Sequence, residues 1–108
     1  MSDAVVVLST CASRDEAERI ANALVNDRLA ACVQLLPPIQ SIYRWQGAVE
    51  RAEEILILIK STSAQFPRLE QRIMELHSYE TPEIIAIPVV AGAAKYLAWL
   101  RETLKPIN

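Results

Sequence analysis

Seven consecutive residues, EILILIK at Glu54 to Lys60, constrain the fold more than any other stretch. In an extended chain they place Ile55, Ile57 and Ile59 on one side and Leu56 and Leu58 on the other, so neither side is polar. A strand of this kind needs cover on both faces. The runs AVVVLST at Ala4 to Thr10 and IIAIPVV at Ile84 to Val90 show the same lack of alternation and predict buried strands. Covering Leu56 and Leu58 alone is worth roughly 3–6 kcal/mol per chain, at about 1.5–3 kcal/mol per large apolar side chain.

The segments between these runs supply the remaining elements. SRDE opens a first helix, with Ser13 as cap and Glu16 reaching back to complete a capping box. Ala17, Ile20, Ala21 and Leu24 follow at helical spacing, and Asn26-Asp27 marks the end. From Ala31 the chain is extended through ACVQLL, is interrupted by Pro37-Pro38, which predict a bulge or an edge, and resumes as IQSIYRW. Gln46-Gly47 is the turn, and Ala48 to Lys60 returns alongside with Trp45 beside Ala48. Ser61 to Ser63 offer caps for a second helix running to about His77, with Phe66, Leu69, Ile73 and Leu76 on one face and Pro67 in its first turn. SYETPE is a loop. A last helix from about Ala93 to Leu104 turns Tyr96, Leu97, Leu100 and Leu104 inward.

This order predicts an α+β fold, a ferredoxin-like βαββαβ sandwich with a long β2-β3 hairpin and an extra C-terminal helix, forming one domain over residues 1–108. Helices in such a sandwich cover one sheet face. The extra helix shields only part of the other, which points to self-association.

The hairpin tip carries SIYRWQG, in a chain with six aromatic residues and two glycines. Arms of about 12–15 residues exceed the usual strand of about 5–6, so the tip projects beyond the sheet. Tyr43 and Trp45 fall on one side and Arg44 on the other, which suits aromatics packed into a neighbouring subunit with the arginine at its rim. Stacking on nucleic acid is the competing reading. A net charge of −2, with no block of like charge, weighs against it. No apolar run approaches the roughly 20 residues of a membrane span. Met1-Ser2-Asp3 lacks the positive start of a signal peptide, so the expected location is the cytoplasm and the two cysteines are expected as free thiols.

Leu29-Ala30-Ala31-Cys32-Val33, Ser41-x-Tyr43-x-Trp45-x-Gly47, Glu54, Lys60, His77-x-Tyr79, Pro82-Glu83-Ile84 and Tyr96-Leu97-x-Trp99 occur in this order across nearly the whole chain. Together they resemble the CutA family of divalent-cation tolerance proteins. The resemblance implies a tight homotrimer that exchanges hairpins, with Tyr43, Arg44 and Trp45 at the interface, a cytoplasmic location as in bacterial members, and binding of copper or another divalent cation. It implies no organic cofactor, nucleic acid or membrane partner. The family is also similar to the PII signalling proteins, which implies an alternative: a sensor holding a small anionic ligand in inter-subunit clefts, lined by Lys60, His77, Tyr79, Glu83 and Trp99. Ser78 departs from the proline that commonly follows the family's histidine, and Ser61 from the usual threonine after the lysine. The first departure alters how the loop presents His77.

The residues available to a metal are few. Copper(I) prefers thiolate and thioether, and copper(II) accepts imidazole and carboxylate. Cys32, His77 and Cys11 are therefore the candidate ligands, with Met74 read as a core or surface methionine. No CxxC or HxxxH spacing is present, so a closed site within one turn is not expected, and ligands are pooled across an interface. Cys32 reads either as a ligand or as a core thiol, and His77 either as a ligand or as a helix C-terminal cap. An enzyme is not expected: Cys32 and His77 lack an accompanying oxyanion-hole motif, and no glycine-rich phosphate loop exists. Glu50, Glu53 and Glu54 read as solvated or ion-paired between subunits.

Overall fold

The computed structural model describes residues 3–106; Met1 and Ser2, on which the signal-peptide reading partly rests, and residues 107–108 lie outside them. The elements are β1 (Ala4–Cys11), α1 (Arg14–Asn26), β2 (Cys32–Leu35), β3 (Ile39–Trp45), β4 (Ala48–Thr62), α2 (Phe66–Leu76), β5 (Ile85–Pro88) and α3 (Ala94–Thr103). Among the described residues this is an α+β structure with one antiparallel sheet and three helices. The strands run in the order β2, β4, β1, β5, with β3 also paired to β4. Among the described residues no helix is long and apolar enough to cross a membrane.

The EILILIK run is the inner half of β4, the strand that organises the sheet. From Ile55 to Thr62, β4 pairs with β1, and from Ala48 to Glu54 it pairs with β3. Fifteen residues at about 3.4 Å each span about 50 Å, in keeping with a long dimension of 46 Å for the molecule. The outer half is therefore a projecting hairpin. Gln46 and Gly47 carry φ values of 50° and 83°, the two left-handed positions of a type I′ turn, and Trp45 pairs with Ala48 as expected. Leu36 N–H still donates to Leu56 O at 3.0 Å, but Pro37-Pro38 end that ladder, so the first arm is two strands.

Alternation sorts the core onto two faces. Val5, Val7, Cys11, Ile55, Ile57 and Ile59 pack under Ala17, Ile20 and Leu24 of α1 and Leu69 and Ile73 of α2. Ala4, Ala31, Leu100 and Leu104 form a second cluster, so α3 covers one end of the other face. The rest of that face stays open within the chain. Leu8 pairs across to Leu58 and Ile85, and Val6 to Ile87. Val6, Leu8, Leu56 and Leu58 are only half-buried, while Ile85 and Ile87 are 51% and 46% exposed.

Four expectations need correction. β5 is an edge strand, exposed at all four positions rather than buried. Tyr96 is 42% exposed, because only Leu97, Leu100 and Leu104 of its helix meet the second cluster. Ser61 to Ser63 do not cap α2, which starts after Gln65 with no side-chain cap. The β1–β4 ladder claims Ser61 and Thr62, Ser63 donates its N–H and Oγ to Asp3 O at 2.9 and 3.3 Å, and the buried Ser61 Oγ donates to Leu29 O at 2.7 Å. Finally, Ser13 Oγ does accept from Glu16 N–H at 3.2 Å, but the Glu16 carboxylate accepts from Ala12 N–H at 3.0 Å, outside the capping-box pattern.

Candidate functional site

Three element ends meet at one corner of the helix-covered face: the last residue of β1, the first turn of α1, and the residue that ends α2. Cys11, Glu16 and His77 are brought there, with one ligand atom from each lying within 4.8 Å of the others. This is the one such group of Cys, His or acidic residues among the described residues. His77 is the C-cap of α2, its N–H donating to Ile73 O at 2.8 Å. Nδ1 of its ring accepts from Tyr79 N–H at 3.0 Å, which assigns the ring proton to Nε2 and makes it the donor to Thr10 O at 2.7 Å. Glu16 accepts main-chain N–H groups through both oxygens, from Ala12 at 3.0 Å and Ser78 at 2.8 Å. The Tyr79 ring packs against His77 at a 47° tilt with centroids 4.7 Å apart, and its hydroxyl donates to Glu54 Oε2 at 2.9 Å.

The corner favours neutral sulfur beside ionised oxygen. Burial, then the Glu16 and Glu54 carboxylates, push the Cys11 thiol from 9.0 up to about 12. Burial opposes ionisation of Glu16, but hydrogen bonds from Ser78 and Ala12 outweigh it and hold the carboxyl below its ordinary value. Burial and the bond to Glu54 push the Tyr79 hydroxyl up.

The other candidates lie elsewhere. Cys32 pairs across the sheet with Lys60, which pairs in turn with Val6, four residues along β1 from Thr10. Cys32 is half-buried and lies on the open face, so one chain does not bring it to His77. Lys60 Nζ donates to Gln34 Oε1 at 2.9 Å. Glu83 is exposed ahead of β5, and Trp99, 47% exposed, sits beside the Tyr96 ring at 5.6 Å. Surface grooves of about 400 and 310 Å³ run instead along Asp27, Leu29 and Arg68. Tyr43 and Trp45 are 43% and 52% exposed on the outer hairpin, with Arg44 exposed between them.

Two carboxylates of the corner were not legible as such. Glu16 gave only a capping signal, S-x-x-E. Glu54 is buried and hydrogen-bonded to Tyr79 rather than solvated, and only its place at the head of an apolar run hinted at that.

Residues 5–103 match the family model described as CutA1 divalent ion tolerance protein. The divalent-cation tolerance protein CutA of Thermus thermophilus is 52% identical over 97 residues, covering 90% of this chain and 94% of that protein. The protein of the same description from Pectobacterium atrosepticum is 42% identical, covering 97% and 96%. The crystal structure of CutA from Xylella fastidiosa superposes with a TM-score of 0.94 at 41% identity, covering 96% of this chain and all of the other.

Proposed function

The chain belongs to the CutA1 divalent ion tolerance family, and from that premise we propose that it works in divalent-cation tolerance as a cytoplasmic homotrimer, taking up copper or another divalent metal at Cys11, Glu16 and His77. The observation that carries the metal reading is the convergence of one sulfur, one oxygen and one nitrogen ligand within 4.8 Å. Thiolate, imidazole and carboxylate together are a donor set that copper(II) and zinc accept. Cys11 must lose its proton to serve, so uptake releases a proton and strengthens as pH rises.

The open face of Val6, Leu8, Leu56, Leu58, Ile85 and Ile87 supports the trimer, as does the projecting hairpin with its exposed aromatics. The reading keeps a ferredoxin-like sandwich as the unit of that assembly. Both cysteines are free thiols, as a reducing compartment keeps them. A thiol held protonated by burial is a poor nucleophile, which favours a binding protein over an enzyme.

A titration with copper(II) and zinc against a competing chelator tests this. Cys11→Ser and His77→Ala are expected to weaken uptake at least about tenfold, the low end of what losing even an outer-shell partner of a ligand costs, and Cys32→Ser to leave it unchanged. Loss of uptake in Cys32→Ser, with Cys11→Ser unaffected, would move the site to the open face and defeat the reading.

A further inference from the structure

Two of the three ligands of the corner, Glu16 and His77, are already engaged by the main chain. Glu16 holds Ala12 and Ser78, and His77 holds Thr10 and Tyr79. His77 can ligate an ion through Nε2 only by moving its ring proton to Nδ1, and Nδ1 then no longer accepts from Tyr79 N–H. Ligation through Nδ1 displaces the same amide directly. By either nitrogen, Tyr79 N–H loses its acceptor.

Tyr79 is also fixed at its other end. Its hydroxyl bonds to Glu54, which is 7% exposed and pairs with Ile39, the first residue of β3. That pair is the foot of the projecting hairpin, where β4 leaves β1 and takes up β3. One residue thus spans from the imidazole to the hairpin foot, 25 positions of sequence away from Glu54.

We propose that Tyr79 couples occupancy of the Cys11, Glu16 and His77 site to the hairpin, so that uptake of a cation loosens the hairpin foot. This rests on the metal reading above and adds to it a path and a direction. When Tyr79 N–H is freed, the Ser78–Tyr79 segment shifts, and the buried Glu54 carboxylate loses the hydroxyl donor. An under-bonded buried carboxylate destabilises the pairing around it. Because coupling between two sites is reciprocal, removing the Tyr79 hydroxyl also frees the cation site from the hairpin.

The test is residue-resolved hydrogen exchange with and without zinc(II), uptake being read in the same samples with a competing chelator. The expected result is zinc uptake with at least about fivefold faster exchange at amides near Ile39 and Glu54, the low end of typical couplings, while core amides such as that of Ile57 are not accelerated. In Tyr79→Phe, uptake persists and the acceleration disappears. Uptake without a change at the hairpin foot overturns the coupling and leaves the metal reading standing, as does an equal acceleration in Tyr79→Phe. Absence of zinc uptake by the unmodified chain overturns the coupling as stated, and the metal reading falls with it when the copper(II) titration is empty as well. The comparison on the unmodified chain decides the matter even if Tyr79→Phe does not fold.

Discussion

Ser78 donates its main-chain N–H to Glu16 Oε2 at 2.8 Å, joining residues 62 positions apart. That bond ties the start of α1 to the chain leaving α2, and Glu16 closes the junction by accepting Ala12 N–H through its other oxygen. The corner is thus a structural joint as well as a cluster of ligands.

Glu16 is 4% exposed, and Glu16→Gln replaces one acceptor oxygen with a donor facing an N–H. The expected loss is about 1–3 kcal/mol at pH 7, read by urea unfolding. The acid dependence follows from the lowered carboxyl. Folding favours the ionised form, so this contribution is present above 4.5 and is lost as pH falls through the lower folded value. Glu16→Gln should flatten that acid limb; an unaltered limb would remove Glu16 from the account of it.

Cys11 behaves in the opposite sense. Its folded value is raised from 9.0 to about 12, so the contribution is full below pH 9.0 and declines as pH rises from there. The slope is about 1.4 kcal/mol per pH unit. Between pH 8 and 10 the unmodified chain should lose about 1.4 kcal/mol more than Cys11→Ala. Equal losses would mean that the thiol ionises as freely folded as unfolded.

Gly47 has φ of 83° and nothing within 4 Å of the position a Cβ would take. Any effect of Gly47→Ala is therefore conformational, an expected cost of about 1 kcal/mol in thermal unfolding. Gln46, at φ 50°, holds the other left-handed position, so Gln46→Asn should raise the melting temperature. A neutral Gly47→Ala would place the turn in another conformation.

Leu58 lies on the open face between Leu8 and Gln34. Leu58→Glu puts a charge into the proposed contact between copies and should convert a sedimenting trimer into monomers, with the helix-covered core intact by circular dichroism. A monomer in the unmodified chain at micromolar concentration contradicts the trimer directly.

What the sequence disclosed follows the reach of each signal. The two-faced pattern of β4, the Ser13 cap of α1 and the two-residue turn at Gln46-Gly47 are local, and each was readable from neighbouring residues. The cap expected at Ser61 to Ser63 is absent because long-range contacts, strand pairing to β1 at Ser61 and Thr62 and bonds to Asp3 O at Ser63, outweigh a local preference. IIAIPVV reads as a buried strand from composition, but burial depends on what lies beside an edge, and among the described residues nothing covers β5. The corner was legible only in pieces. Cys11 and His77 were candidates separately, yet their meeting with Glu16 depends on three element ends converging, which no spacing along the chain encodes.

The most direct measurement is anomalous diffraction at the copper edge from crystals grown with copper(II). A peak at the corner, within bonding distance of Cys11 Sγ and a His77 ring nitrogen, is the expected result, with Tyr79 N–H turned away from the ring. A peak beside Cys32 on the open sheet face, or no peak at all, contradicts the site.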